Sequence, residues 1–388
     1  MKIIYVQKIK LDVDTCRTSR LEITKNLINL GHNVTLIASY MKNKPDFNLG
    51  DRIKYIPSLH IPLLEQLTYT LFMYVKIIYI LFREKPDAVI FDLYTCFCAF
   101  PVDILSRIGI VKTKFIVDVR SGIFHRRQSR LVDVLRRLHL KIALLYSKRV
   151  ASGFTVISQL MKRKIVKEFG FSEDRFGIWS SGVSMEKFSA ESVTVERIEN
   201  LDGKFTIMYH GALGTDRGLA ETVEAMKLLK PKYSDIIFFI LGNGEEEGHL
   251  KNLVEQYKLD NVIFKDSVAQ NQVPGYIKMC DLGIMPFDNT EVMRSSSPLK
   301  LMEYLAMEKP FIATDMEAFR QVVGTSKCGI FLDSNNPEDI AKGIELACKN
   351  RDNLKFWGKM GREIVERDYT WMHQARKLQN FLYFITQY

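Results

Sequence analysis

FTIMYHGALGTDRG, residues 205–218, is an apolar run that ends in a glycine-rich turn, and helical spacing resumes at Leu219. A strand that passes through such a turn into a helix is the repeating unit of a doubly wound parallel sheet. The turn through Gly211, Ala212 and Leu213 offers backbone N–H groups near a helix N-terminus, which suits a phosphate, and Arg217 adds a planar donor fork. Taken alone, the pattern also fits a tight turn beside a solvated arginine.

A second element, SSSPLKLMEYLA at residues 295–306, follows another predicted strand and a Pro-Phe-Asp loop. Ser296, Ser297 and Pro298 would cap a helix and leave amides free near Leu299. Lys300 and Glu303, three residues apart, share one helical face. They could present a cation to a phosphate and a carboxylate to ribose hydroxyls, or form a surface ion pair.

Apolar runs of strand length alternate with helical stretches through the rest of the chain. The predicted strands are residues 2–6, 33–38, 88–91, 114–119, 154–157, 205–209, 236–241, 262–264, 282–285, 311–314 and 329–332. This alternation predicts an α/β protein with two doubly wound parallel sheets. The polar stretch through residues 182–200 is the best domain boundary.

The charge is distributed unevenly along the chain. The 388 residues, 47% of them apolar, suffice for two to three domains and carry a net charge of +10. Residues 1–184 hold 30 basic and 15 acidic side chains, a balance of +15, which leaves −5 for residues 185–388. The first half therefore favours an anionic partner.

Several function classes lack their sequence signatures. No GxGxxG turn follows the first strand, where the first glycine is Gly31, and no P-loop is present. The six cysteines form no CxxC pair, and Cys96 and Cys98 have no further ligands at finger-like spacing. The start MKIIYV lacks the features of a signal peptide. We therefore expect a reducing, cytoplasmic setting and neither a nicotinamide cofactor nor a structural zinc.

Two segments raise the question of a membrane. Residues 67–82 contain Lys76 as their one charged side chain and are too short to span a bilayer. We favour a helix buried against a sheet, with a helix lying in a bilayer surface as the alternative. The stretch from Arg120 to Arg149 contains nine basic residues and a single acidic residue, Asp133. Apolar residues recur between them at helical spacing. Three interpretations of this helix remain: it packs on the sheet with a solvated basic face, it contacts anionic lipid headgroups, or it binds RNA. The RNA alternative is the weakest because no stacking aromatic residues accompany the charges, and we expect no nucleic-acid partner.

Together these motifs resemble the family-4 retaining nucleotide-sugar glycosyltransferases of the GT-B fold, over nearly the whole chain. The resemblance rests on residues 211–218, on the turn with Gly242 at residues 241–245, and on residues 281–286, 297–304 and 309–315. It implies two Rossmann-like domains facing across a cleft. Residues 1–184 would form the acceptor side, residues 185–367 would bind the donor, and a last helix at about 368–388 would cross back.

The chain departs from the family pattern at two donor-side positions. Ala212 stands where relatives carry a first cation, and Ser295 replaces the first of two glutamates. The resemblance then leaves phosphate neutralisation to Arg217 and Lys300 and ribose recognition to Glu303. This variant is one we associate with transferases of envelope and lipid-linked glycans.

The first domain matches the family less well. Arg120 stands near the position of a histidine that faces the transferred sugar in relatives, and His125 is a possible substitute. Asp118 and Arg120 could instead fix the loop that faces the sugar. Arg17 and Arg20 replace a glycine-rich turn and would lie at the cleft mouth, where an anionic acceptor arrives.

The expected activity is metal-independent transfer of a hexosyl or N-acetylhexosaminyl group from a UDP- or GDP-linked sugar. Arg217 and Lys300 would stabilise the leaving diphosphate, and Arg120 would act near the sugar. The acceptor would be an envelope glycan or a polyprenyl-phosphate-type lipid at the cytoplasmic membrane face. Two alternatives remain: a catalytically silent GT-B partner subunit, and a phosphorylase or epimerase on the same architecture.

Overall fold

The chain folds into two compact units in this computed structural model. The structure describes residues 1–11, 17–40, 47, 49–57, 64–120, 130–189, 198 and 201–387, with the backbone alone at 64–66, 130–133 and 135–137. Unit 1 comprises Met1–Ser181 and Trp371–Tyr388, and unit 2 comprises Gly182–Thr370.

Unit 1 is built on a parallel sheet whose described strands number seven, in the order β3-β2-β1-β4-β5-β6-β7. The strands are β1 (Lys2–Val6), β2 (Asn33–Ser39), β3 (Ile53–Ile56), β4 (Ala88–Asp92), β5 (Lys114–Val119), β6 (Gly153–Val156) and β7 (Phe176–Ile178). The helices are α1 (Arg17–Asn29), α2 (Leu64–Glu84), α3 (Phe100–Arg107), α4 (Arg130–Val150) and α5 (Gln159–Phe169). Strand order reverses between β1 and β4, which is where ligands bind in sheets of this kind.

Unit 2 repeats the architecture with six described parallel strands in the order β10-β9-β8-β11-β12-β13. Its strands are β8 (Phe205–His210), β9 (Ile236–Leu241), β10 (Val262–Lys265), β11 (Leu282–Met285), β12 (Phe311–Thr314) and β13 (Gly329–Leu332). Its helices are α6 (Leu219–Leu229), α7 (Glu247–Gln256), α8 (Val273–Met279), α9 (Glu291–Arg294), α10 (Leu299–Ala306), α11 (Glu317–Val323), α12 (Pro337–Lys349) and α13 (Arg351–Asp368). The switch in strand order lies between β8 and β11.

These two parallel sheets confirm the predicted fold class. Strands of such sheets are covered on both faces and read as continuous apolar runs, so eleven of them were found from the sequence. Two further strands, Ile53–Ile56 and Phe176–Ile178, were missed. They lie at the two edges of the first sheet, where a short strand pairs on one side only and needs no strong apolar signal.

The last helix, α14 (Trp371–Gln387), packs within unit 1 against α1 and β7. Gly153 and Gly177 allow this approach, since a Cβ atom at either glycine would collide with the ring of Phe381. The backbone N–H of Ser180 donates to the Gln374 side chain at 2.8 Å. Helix α14 therefore belongs to the core of unit 1 although it is last in sequence.

The apolar segment predicted at residues 67–82 forms helix α2. Its Tyr69, Met73 and Ile77 are fully buried against the sheet, as the favoured interpretation requires. Its other side is exposed, however, with Val75 exposed by 73%. Among the described helices, none is long and apolar enough to cross a bilayer.

Candidate functional site

In unit 2 the predicted donor residues converge where β8 and β11 end. Gly211 adopts φ +112°, and a Cβ atom built there would lie 2.7 Å from Lys300 Cε and 3.0 Å from its Nζ. The turn after β8 and the first turn of α10 are therefore in direct contact. Only glycine at position 211 leaves room for the Lys300 side chain to lie across the turn.

Two neighbouring turns close around the same point. A Cβ atom at Gly242 would collide with the Gly211 carbonyl oxygen, and one at Gly218 would collide with that of Pro286. The Leu213 N–H donates to the Asn243 carbonyl at 3.0 Å, which fixes the β8 turn to the β9 turn. These close approaches are the physical reason for the glycines in the predicted motifs.

Arg217 and Lys300 lie over the same aromatic ring. The Arg217 guanidinium carbon is 4.9 Å from the Phe287 ring centre, and Lys300 Nζ is 6.0 Å from it and 5.4 Å from that of Tyr209. Arg217 Nε also lies 3.3 Å from Asp216 Oδ1. Two cations thus meet at one aromatic platform, one of them paired with a carboxylate that the sequence analysis did not assign.

Glu303 is buried, and Lys300 is half-buried three residues before it on the same helix. Burial lowers the pKa of Lys300, and the positive charge of Arg217 lowers it further. Burial raises the pKa of Glu303, whose side chain is almost enclosed. Keeping the Lys300 ammonium and the Glu303 carboxylate charged at this place therefore costs free energy. A ligand that brings an anion to Lys300 and hydroxyl groups to Glu303 would supply the partners that solvent supplies elsewhere.

His210 was missed by sequence reasoning and lies beside Glu303. Its Nε2 is 3.5 Å from Glu303 Oε2, and its ring makes an edge-to-face contact with Tyr304 at 5.0 Å. Burial lowers the pKa of His210 to about 3, so the ring is neutral at physiological pH. The sequence signal that could have found His210 was its position directly before Gly211, at the end of a buried strand.

Two of the backbone amides that we predicted to be free are engaged, which corrects the sequence interpretation at those positions. The Gly211 N–H donates to the Leu241 carbonyl at 2.8 Å, and the Leu299 N–H donates to the Ser297 carbonyl at 3.0 Å. The Ser296 hydroxyl donates to the Met293 carbonyl at 2.7 Å. Parallel strand ends and tight turns satisfy their own donors. Gly211 and Leu299 thus offer no free amide to an anion, whereas Arg217 and Lys300 offer side-chain charges.

In unit 1 Asp118 is the centre of a buried polar cluster. Its carboxylate accepts hydrogen bonds from the Tyr5 hydroxyl, from the Thr155 hydroxyl at 2.7 Å and from Arg120 Nε at 3.2 Å. Arg20 Nη1 lies 3.7 Å away. These residues come from β1, β5, β6 and α1, so the cluster ties the carboxyl ends of three strands together.

This cluster changes the roles predicted for two arginines. Arg20 is only 6% exposed and pairs with Asp118, so its predicted place at an exposed cleft mouth is wrong. Arg120 stacks on the Trp179 ring, and its Nη2 donates to the Trp179 carbonyl at 3.0 Å. Burial lowers the pKa of Arg120 to about 10. A buried carboxylate requires counter-charges, and these two arginines supply them.

The other predicted acceptor residues fall at the margin of the described chain. Arg17 is half-buried in the first turn of α1, and its Nη1 donates to the Leu11 carbonyl at 3.4 Å. His125 lies outside the described residues, as do Arg126 and Arg127. Within the described residues, no group of three or more His, Cys, Asp or Glu side chains could hold a metal ion. Metal independence stays a prediction.

Comparison with known proteins identifies the family. Residues 194–364 match the model of the glycosyl transferases group 1, and residues 18–187 match that of glycosyltransferase family 4. The fold matches that of HepE from Anabaena in complex with UDP, with a TM-score of 0.75 over 99% of this chain and 100% of that one, at 13% identity. The chain belongs to the GT-B glycosyltransferases. The predicted resemblance is thereby confirmed for the glycosyltransferase family and the GT-B fold, whereas retention of configuration stays a prediction.

Sequence relatives of this GT-B glycosyltransferase are distant. YtcC of Bacillus subtilis strain 168 is 24% identical over 246 residues, which are 58% of this chain and 59% of that protein. The capsular polysaccharide biosynthesis glycosyltransferase CapM of Staphylococcus aureus is 23% identical over 57% of this chain and 58% of CapM. The matched stretch thus spans less than two thirds of either relative.

Against the family pattern, Ser295 is a structural residue. It is 2% exposed, and its hydroxyl donates to the Glu291 carbonyl at 2.7 Å, which closes the end of α9. The exposed Ala212 likewise offers only its backbone, whose carbonyl accepts from the Tyr209 hydroxyl at 2.7 Å. Neither side chain carries a charge, whereas Arg217, Lys300 and Glu303 bring charged groups to this site, with Asp216 beside Arg217.

Proposed function

We propose that this GT-B glycosyltransferase transfers a hexosyl or N-acetylhexosaminyl group, with retention of configuration, from a UDP- or GDP-linked sugar. One observation carries the proposal: Lys300 and Glu303 lie in the first two turns of α10, Lys300 contacts the Gly211 turn, and Arg217 shares the Phe287 ring with Lys300. Cations for a diphosphate thus stand next to a carboxylate for a ribose. HepE, which shares the fold, binds UDP.

The chemistry follows from the charge that develops on the leaving group. The bond between the sugar C1 and the β-phosphate oxygen breaks, and its electron pair stays on the nucleoside diphosphate. Arg217 and Lys300 stabilise that charge, while the acceptor hydroxyl oxygen bonds to C1 and its proton passes to the departing diphosphate oxygen. Both cations are already held in place, so the proposal needs no metal ion.

The proposed acceptor is an envelope glycan or a polyprenyl-phosphate-type lipid at the cytoplasmic membrane face. CapM, a relative, is named for capsular polysaccharide biosynthesis. The charge of +15 on residues 1–184 supports an anionic acceptor or membrane. Arg20 and Arg120 contribute to that charge from buried positions, so the exposed cations of unit 1 would meet the acceptor or its membrane.

The donor half of the proposal is tested by binding and turnover. A thermal-shift panel of nucleoside diphosphates and their sugars should give a stabilising ligand. Arg217→Ala and Lys300→Ala should each lower turnover by about 10² or more, the range for one preorganised donor. Lys327→Ala, an exposed cation of the same unit, is the matched control. Full activity should persist in excess EDTA.

The same assays separate the alternatives. Nucleotide binding without donor hydrolysis or transfer, in the presence of lipid-linked acceptors, would favour a silent partner subunit. Sugar release that requires inorganic phosphate would favour a phosphorylase. Activity that disappears with EDTA and returns with Mg²⁺ or Mn²⁺ would contradict the metal-independent mechanism. The anomeric configuration of the product, read by NMR, tests retention.

A further inference from the structure

Helices α2, α3 and α4 expose an unusual amount of apolar surface. Of the 21 large apolar side chains exposed in the described part of the chain, 15 lie on these helices and the turn after α3. Single exposed apolar side chains are ordinary, whereas a contiguous group marks a contact surface. We call this group the apolar face. Its members are Leu67, Leu71, Phe72, Val75, Ile78, Tyr79, Phe82, Phe100, Ile104, Ile108, Ile110, Val134, Leu138, Ile142 and Leu145.

Helix α2 is apolar on its outward side as well as on the side that packs against the sheet. Tyr69 and Met73 are fully buried on its sheet side. On the opposite side Leu71, Val75 and Ile78 follow the i, i+4, i+7 spacing of one stripe and are exposed by 55%, 73% and 41%. A helix that is apolar on both sides is typical of a protein interior or of contact with lipid. Half of α2 has its protein partner, and the other half lacks one among the described residues.

The three helices form one surface. The Tyr74 hydroxyl of α2 donates to the Phe97 carbonyl at 3.2 Å, in the short turn that leads into α3. The Phe97 ring stacks on Tyr146 of α4 with 5.4 Å between ring centres. Helices α2, α3 and α4 therefore lie side by side on the same side of the first sheet. The apolar face is thus carried by three neighbouring helices on one side of the sheet.

Cations lie within the apolar face rather than only around it. Lys76 follows Val75, and its Nζ lies 5.4 Å from the ring centre of Tyr79. The exposed Lys141 precedes Ile142 in the α4 stripe. A two-fold interface with a second copy would bury these charges against an apolar surface, where charged residues are depleted. At a bilayer surface, long cationic side chains extend to the phosphates while their neighbours enter the apolar region.

We propose that the apolar face inserts into the headgroup and upper acyl region of a bilayer that carries anionic lipids. The proposal deepens, and rests on, the membrane contact named in the proposed function. The proposed function invokes attraction by basic residues, which salt abolishes. From the sequence, a bilayer-surface position of residues 67–82 is only the alternative to burial, and the structure shows that α2 has both a buried and an exposed apolar side. Insertion of large apolar side chains adds a contribution that salt does not screen.

The test compares two triple variants in vesicle sedimentation. Leu71→Gln/Val75→Gln/Ile78→Gln removes one stripe of the apolar face. Leu228→Gln/Leu346→Gln/Phe356→Gln, in unit 2, removes apolar side chains exposed by 48%, 47% and 62% and is the matched control. With vesicles of phosphatidylcholine and phosphatidylglycerol at high salt, we expect the wild type and the control to remain bound. The α2 variant should partition about tenfold or more weakly.

Two further measurements make the outcome decisive. Lys76→Gln/Lys141→Gln should weaken binding at low salt but leave the salt-resistant part. Donor hydrolysis should be equal in all variants, since none of the substitutions touches the proposed donor site. If even the wild type hydrolyses no donor, the proposed activity is wrong. The vesicle result still shows whether the apolar face binds the bilayer. Complete release of the wild type at high salt would overturn insertion. A dimer in light scattering that the α2 variant abolishes, with vesicle binding unchanged, would assign the face to a second copy instead.

Discussion

Replacing Gly211 with alanine should separate the position of Lys300 from the stability of the fold. A Cβ atom at residue 211 would lie 2.7 Å from Lys300 Cε and 3.0 Å from its Nζ. The far end of a lysine side chain is flexible, so it yields at little cost in folding free energy. The ammonium group nevertheless leaves its place over the turn. The variant also puts a Cβ atom at φ +112°, which costs about 1–2 kcal/mol.

Gly203→Ala provides the control for strain alone. Gly203 has φ +71°, and nothing lies within 4 Å of a Cβ atom built there. Both variants should lose about 1–2 kcal/mol of unfolding free energy. Only Gly211→Ala should also lose the contribution of one preorganised charge donor, about 10²–10³ in kcat, or roughly 3–4 kcal/mol of transition-state stabilisation.

Urea denaturation and steady-state donor turnover, measured on the same preparations, give both quantities. Thermal shift with a nucleoside diphosphate then reports whether affinity for the diphosphate fell with turnover. The reasoning is refuted if folded Gly211→Ala keeps the kcat/KM of Gly203→Ala to within about twofold, because Lys300 would then not act from the place the structure gives it.

The remaining predictions concern charge. Glu303→Gln should raise the donor KM or abolish turnover in a folded protein, and unchanged kinetics would remove Glu303 from the site. The proposed site requires Glu303 ionised, with a raised pKa, and Lys300 protonated, with a lowered pKa, so the plot of kcat/KM against pH should be a bell narrower than ordinary Glu and Lys would give. Lys300→Arg should move the alkaline limb of this bell to higher pH. A profile that does not change with pH would contradict the assignment. Asp118→Asn leaves Arg20 and Arg120 buried without their carboxylate and should cost about 3–5 kcal/mol in urea denaturation; a loss below about 1 kcal/mol would show that the cluster is not needed.

Most of the fold could be predicted from the sequence, because buried parallel strands leave a signal that needs no knowledge of their neighbours. The runs at residues 2–6, 114–119, 236–241, 282–285, 311–314 and 329–332 became strands with the predicted bounds. The edge strands Ile53–Ile56 and Phe176–Ile178 could not be found in this way. Their existence depends on a partner strand rather than on local composition.

The sequence by itself determined which residue types meet in unit 2: a glycine turn, two cations and a carboxylate at two strand ends. The tertiary structure alone decided their surroundings. It placed His210 beside Glu303 and Asp216 beside Arg217. It also paired two arginines with Asp118, and one of them, Arg20, is thereby buried. It also decided that half of α2 faces outward. Motifs record local geometry, whereas burial and charge pairing depend on residues distant in the chain, and only the packed structure brings those together.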